Sequence, residues 1–259
     1  MPEGDTIHYA ANRIRPVLEG HVPDELSTPH PRFGRDRWPQ RLQGRAVTGV
    51  DAHGKHLFLR FDGGLVIHSH LRMTGSWGVH PVGARWKRAA SRAWLVIRVR
   101  ETEVVQFDGP VLELMTAGRA RADQRIAGLG PDILAGDGLD EARFLRRLRA
   151  DDPTRTIGDA LLDQRTIAGL GTVWRTEACW AARIDPHRPT GQVSDAEVLA
   201  AVRTVRPRMQ RSAQGDSQAR ARACYGRRGQ ACERCGTKIR GGHLGDDNRP
   251  AFWCPGCQS

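Results

Sequence analysis

Along this chain the spacing of apolar positions changes twice. From Asp5 to Leu18, the residues Ile7, Ala10, Ala11, Ile14, Val17 and Leu18 recur at helical spacing behind Asp5-Thr6, a pair suited to capping, and predict one amphipathic helix. Residues 45–115 carry short strand-like runs instead: Lys55-His56-Leu57-Phe58-Leu59-Arg60-Phe61, Leu65-Val66-Ile67-His68, Ala93-Trp94-Leu95-Val96-Ile97-Arg98 and Glu103-Val104-Val105-Gln106-Phe107. Asp62-Gly63-Gly64 between the first two marks a hairpin. Helical spacing returns after Leu129-Gly130-Pro131-Asp132, in Asp140 to Leu148, in a helix ending over 160–168, in another starting near Thr172 and in a longer one from about Ser194 to Met209. Residues 212–222 are polar and aperiodic, and read as a linker or mobile loop. The fold class that follows is α+β, with an N-terminal antiparallel β-sandwich and flanking helix over residues 1–130 and a helical domain over 131–221.

The remaining residues, 222–259, are organised by cysteine. Cys232-x2-Cys235 and Cys254-x2-Cys257, 18 residues apart, fit a tetrahedral four-thiolate zinc site in which each turn gives two ligands. Gly236, Gly241, Gly242 and Gly245 suit a tight hairpin between the pairs, and so short a segment has little core without a metal. Four thiolates leave no open position, so one structural zinc is expected; disulfides are the alternative. Cys179 and Cys224 are read as ordinary thiols.

Charge adds a partner class. The net charge is +11, and residues 201–259, with 12 Lys/Arg against 4 Asp/Glu, hold +8 of it. A basic pole suits a polyanion, although lysine occurs only at 55, 87 and 238, so arginine-rich coding bias explains part of the excess. Arg227, Arg228, Arg234, Lys238, Arg240 and Arg249 would form a basic finger; taken singly, each is a solvated surface charge. No apolar run is long enough for a bilayer and the start lacks a secretory pattern, which predicts a soluble cytoplasmic protein without membrane partners.

The chain opens Met1-Pro2-Glu3. Removal of Met1 before a small residue would free the Pro2 amine. An α-amine has a pKa of about 7.7–8.0, so a usable fraction is neutral and nucleophilic at pH 7. It can attack a carbonyl-like carbon to form an iminium, with Glu3 beside it to move protons.

Met1-Pro2-Glu3-Gly4-Asp5-Thr6 resembles the start of the formamidopyrimidine-DNA glycosylase and endonuclease VIII family. Gly54-Lys55-His56-Leu57-Phe58 is similar to the strand bearing the family's catalytic lysine, and His70-Leu71-Arg72-Met73-Thr74-Gly75 to the loop that enters the DNA gap. Leu161 to Gly171 looks like its helix-two-turn-helix, and Arg249 to Gln258 like the end of its zinc finger. The resemblance spans nearly the whole chain. It implies a monomeric, nucleoid-associated bifunctional DNA glycosylase and abasic-site lyase of base excision repair, acting on double-stranded DNA with damaged bases or abasic sites. It assigns catalysis to Pro2, Glu3, Lys55 and Arg249, DNA contacts to Arg72, Met73, Gly171 and Thr172, and the metal to Cys232, Cys235, Cys254 and Cys257. Read alone, Lys55 is a surface lysine, Met73 a strand-end core residue and the glycines a helix cap. Thr172 stands where the family usually has asparagine and Trp174 where it has tyrosine. Gln106-Phe107-Asp108-Gly109 lacks the arginine of the formamidopyrimidine branch, which points to the endonuclease VIII branch and oxidised pyrimidines. The iminium intermediate that the resemblance implies leads to cleavage on both sides of the site. Two alternatives stay open: a glycosylase for bulky or crosslinked adducts, and a non-catalytic zinc-finger DNA binder.

Overall fold

The computed structural model describes residues 2–33 and 36–259. Met1, whose removal is expected above, lies outside the described residues. The chain forms two compact units: Pro2 with Thr6–Ala127, and Glu3–Asp5 with Gly128–Ser259.

In the first unit, α1 (Gly4–Leu18) is followed by β1 (Glu25–Ser27), α2 (Trp38–Leu42), β2 (Val47–His53), β3 (His56–Phe61), β4 (Leu65–His70), β5 (Ser76–Pro81), β6 (Ala93–Val99), β7 (Thr102–Phe107) and β8 (Val111–Thr116), then the short helices α3 (Ala117–Ala122) and α4 (Gln124–Ala127). The strands make two four-stranded antiparallel sheets, ordered β1-β6-β7-β5 and β2-β3-β4-β8, the expected sandwich. Strand alternation decides the core: Leu57, Leu59, Ile67 and Leu112 meet Leu95, Ile97 and Val104 of the other sheet together with Ile7, Ala11, Ile14 and Leu18 of α1. The opposite face of β3 and β4 is covered too, since Phe58, Val66 and Met115 pack with Ala120 of α3. This is why β3 reads as nearly continuous apolar sequence. Gly63 and Gly64 take the left-handed conformation (φ 72° and 71°) that the tight β3–β4 turn requires.

The second unit contains α5 (Glu141–Arg149), α6 (Ile157–Ala160), α7 (Thr172–Ala181), α8 (Asp195–Ala213) and a hairpin of β9 (Arg240–Leu244) and β10 (Arg249–Trp253). Phe144, Leu148, Leu161, Ile167, Trp174, Val198, Val202 and Val205 build its helical core. Asp140 caps α5, and Ser194 with Glu197 forms a capping box on α8.

Two expectations are corrected here. The helix expected to end at Ala168 stops at Ala160, and residues 161–170 are turns. Gln164 takes over the backbone pairing: its Nε2 donates to Leu162 O (2.8 Å) and Leu170 O (2.9 Å), and its Oε1 accepts from Gly169 N–H (3.0 Å). The apolar residues of this stretch face the core from turns that happen to have helix-like spacing. Residues 212–222 are also not a free linker. Ser212 and Ala213 complete α8, Ser217–Arg220 is a 3₁₀ turn capped by Asp216, and Ser212 and Arg220 both bond the buried Asp5. Among the described residues no helix is long and apolar enough to cross a membrane.

Candidate active site and metal centre

The Glu3 carboxylate is fully buried at the N-terminus of α7. Its Oε1 accepts from Val173 N–H (2.8 Å), and its Oε2 from Gly171 N–H (3.1 Å) and Trp174 N–H (3.2 Å). Helix N-terminal amides have no partner within the helix and carry partial positive charge, so a carboxylate is the side chain suited to this place. The backbone must come close for Glu3 to reach it. A Cβ on Gly171 would overlap the Glu3 carboxylate, and one on Gly4 would lie 2.8 Å from Gly169 Cα, while Gly4 N–H donates to Gly169 O at 2.8 Å. The glycines of the two-turn segment therefore admit the residues next to Pro2, and the α7 amides on Gly171, Val173 and Trp174 are occupied by Glu3.

Asp5, also buried, receives Arg220 Nε (2.7 Å) and Nη2 (2.9 Å) and Ser212 Oγ (2.6 Å). Glu3 and Asp5 thus tie Glu3–Asp5 into the second unit at two points, with Pro2 immediately before them. Thr172, the first residue of α7, is buried and its carbonyl accepts from Thr176 Oγ1.

Lys55 sits half-buried in the β2–β3 turn after Gly54, whose φ is 56°. Its neighbours include an imidazole cluster. His56 and His70 are cross-strand partners, His56 Nδ1 lies 2.8 Å from His68 Nε2, and His68 Nδ1 lies 3.4 Å from Glu113 Oε2. Burial, with the charges of Arg72 and Lys55 nearby, pushes His70 down to about 4; burial and the other imidazoles push His56 down to about 2. His68 is lowered chiefly by burial. Arg72, in the left-handed conformation (φ 49°), donates its N–H to His70 Nδ1 at 3.2 Å. Met73 beside it is 66% exposed, so it is no strand-end core residue.

Arg249 opens β10, exposed and 3.2 Å from Asp247. Behind it the buried Arg175 of α7 donates to Pro250 O (2.7 Å) and Gly158 O (3.3 Å), holding the strand that bears Arg249. Of the six basic finger residues, Arg227 pairs with Glu233, and Arg234 stacks 4.2 Å from the Trp180 ring while donating to Trp180 O. The sulfurs of Cys232, Cys235, Cys254 and Cys257 lie within 4.8 Å of one another, with Cys232–Cys257 at 3.8 Å and Cys235–Cys254 at 3.4 Å. Thiolates about 2.3 Å from a tetrahedral metal stand roughly 3.8 Å apart, so the four fit a metal ion. Trp180 Nε1–H donates to Cys232 Sγ at 3.4 Å, a contact that favours thiolate charge. Cys179 and Cys224 are outside this group.

The formamidopyrimidine-DNA glycosylase N-terminal domain model matches residues 1–111, and the corresponding H2TH domain model matches residues 129–222. The chain belongs to the formamidopyrimidine-DNA glycosylase family. Within this family of DNA-repair glycosylases and lyases it is 38% identical to the probable endonuclease 8 2 of Streptomyces coelicolor, across all of this chain and 94% of that protein. It is 36% identical to the DNA-(apurinic or apyrimidinic site) lyase Nei2 of Mycolicibacterium smegmatis, across all of this chain and 99% of that one. Lactococcus lactis formamidopyrimidine-DNA glycosylase, solved non-covalently bound to DNA containing an abasic site, has the same fold at a TM-score of 0.83, with 23% identity and full coverage of both chains.

Reading the sequence alone did not single out Asp5, Gln164, Arg175 or Arg220. In a chain with 40 Lys/Arg, Arg175 and Arg220 carry no distinguishing mark, and Asp5 reads as a helix cap.

Proposed function

We propose that this protein is a bifunctional DNA glycosylase and abasic-site lyase of base excision repair whose nucleophile is the Pro2 amine, exposed by removal of Met1. The observation that carries the reading is the buried Glu3 carboxylate on three α7 amides, next to Pro2. The amine attacks C1′, and the base leaves with the bonding pair and takes up a proton. The nitrogen, now cationic, passes its proton to the carboxylate of Glu3, the next residue in the chain. Glu3 delivers that proton to O4′ as the nitrogen lone pair expels it, leaving an iminium. The iminium acidifies the C2′ proton, so β-elimination releases the 3′ phosphate and δ-elimination the 5′ phosphate, and water frees the sugar fragment. Lys55 and Arg249 hold the flanking phosphates. Arg72 and Met73 enter the duplex where the base has left, and Gly171 and Thr172 hold the turn beside the DNA backbone. One structural zinc on the four cysteines would fix the hairpin that bears Arg249.

In this reading residues 1–130 are the catalytic domain, 131–221 the helix-two-turn-helix domain and 222–259 the zinc finger, in a monomer working on the cytoplasmic nucleoid. Oxidised pyrimidines are the favoured lesions, supported by the endonuclease 8 relatives and by a 106–109 segment without arginine. Incubation with abasic DNA and borohydride should trap the chain through Pro2, and oxidised pyrimidines should be released faster than 8-oxoguanine. Peptide mapping to a lysine, or no adduct, would remove the proline mechanism; faster release of 8-oxoguanine would remove the lesion assignment.

A further inference from the structure

Met73 sits on the turn after β4, the most exposed of the large apolar side chains exposed among the described residues. An apolar side chain on a loose tip would spend most of its time folded against the surface. This tip is tied instead. Gly75 N–H closes the turn on Leu71 O at 2.9 Å, and His70 Nδ1 holds Arg72 N–H. Thr74 Oγ1 donates to Asp108 O at 3.1 Å, and Arg88 Nη1 donates to Thr74 O at 3.1 Å.

Both Thr74 ties lead to Asp108, in the turn after β7. Its carboxylate receives Arg88 Nη1 (2.7 Å) and Arg92 Nε (2.9 Å), and its N–H donates to Arg92 O (3.1 Å). Asp108 has φ 48°, a left-handed conformation in which aspartate and asparagine are the better tolerated side chains. One residue therefore gathers two arginines from the segment before β6 and passes the constraint to the Met73 turn. Three donors converge on one partly buried residue, and a group held by packing and converging hydrogen bonds meets its target with little ordering cost.

We propose that Asp108 is a positioning residue for Met73: the clamp of Asp108, Arg88 and Thr74 holds the turn rigid for entry into double-stranded DNA at the vacated base position. The proposal rests on the reading of Met73 as the inserted side chain. A single-stranded substrate has no stack to enter, so the clamp matters for duplex and not for single strand.

The test measures single-turnover cleavage of one abasic oligonucleotide, alone and annealed, by the full-length metal-loaded protein. Asp108→Asn keeps the left-handed turn and removes the charge that gathers the arginines. It should lower the duplex rate about tenfold and the single-strand rate less than twofold. Met73→Ala should lower the duplex-to-single-strand ratio similarly, and the double variant should be no worse than Met73→Ala alone, because the two act as one unit. Arg88→Met is a second route to the same loss should Asp108→Asn fold poorly. A wild-type ratio in both Asp108→Asn and Arg88→Met, with the ratio lost in Met73→Ala, would overturn the clamp and leave the inserted methionine standing. An equal fall on both substrates would make Asp108 a general structural residue. A silent Met73→Ala would remove the parent reading and the proposal with it.

Discussion

Replacing Gly171 by alanine isolates the Glu3 contact, because the backbone there is extended (φ −124°) and accepts any residue. The only new atom is a Cβ, and it would fall on the Glu3 side chain, 2.5 Å from both Cγ and Oε1. Glu3 has no solvent to retreat into, so relief comes by withdrawing the carboxylate from its amides. A hydrogen bond to a charged group is worth about 1.5–3 kcal/mol net, and stranding a buried charge entirely costs about 3–5 kcal/mol. Loss of one to three of these bonds should thus destabilise the protein by roughly 2–5 kcal/mol, a fall in melting temperature on the order of 5–15 °C for a chain of this size. If the proton passes through Glu3, abasic-site cleavage should fall about 10–100-fold at a temperature where the variant remains folded, since each 1.36 kcal/mol is tenfold. Melting curves and single-turnover cleavage read the two effects. Wild-type stability and rate in Gly171→Ala would refute the argument, for the three amide contacts could not then matter to either.

Acid should weaken the protein through its imidazoles. His56 and His70 have folded pKa values of about 2 and about 4 against an ordinary 6.5, so below pH 6.5 the unfolded chain binds protons that the folded one refuses. Stability should be full above pH 6.5 and fall as pH drops, by about 1.4 kcal/mol per pH unit for each histidine, ending near pH 4 for His70 and continuing lower for His56. His70→Asn can still accept the Arg72 N–H through Oδ1 and should flatten the slope between pH 6.5 and 5 by its share; an unchanged slope in denaturant titrations would contradict this. Treatment with a strong chelator should abolish base release while far-UV circular dichroism retains the helices, because the hairpin packs only a small cluster of Cys224, Ile239, Trp180 and Phe252 around the four thiols that would hold the proposed zinc. Arg249→Ala with metal retained should lose most of the same activity, and full activity in either preparation would detach the finger from the chemistry.

Much of the fold could be read from local pattern. Strand alternation, the Asp62-Gly63-Gly64 turn and the paired CxxC spacing each express a physical requirement within a few residues of chain. The unread parts depend on partners far apart. Arg220 reaches Asp5 across 215 residues and Gln164 replaces backbone pairing with its amide, and neither leaves a periodic trace. The 106–109 segment has no arginine of its own, yet Arg88 and Arg92 reach it from another stretch. Candidate chemistry showed better than its support: Glu3 and the four thiols stood out as residue types, whereas the amides, arginines and hydroxyls that orient them did not.

The 168-position separation of Glu3 and Gly171 also sets an order of assembly. Glu3–Asp5 belong to the unit built mainly from Gly128 onward, and the Glu3 and Asp5 side chains meet the α7 amides, Ser212 and Arg220 only after Gly169 to Arg220 have emerged. Closing so long a loop is entropically slow, and it cannot precede translation of α7. The Glu3 carboxylate consequently reaches its amides only once Gly171, Val173 and Trp174 exist, so a nascent or truncated chain that ends before them carries it without the turn that binds it. A fragment starting at Gly128 would, for the same reason, lack three residues of its own interior.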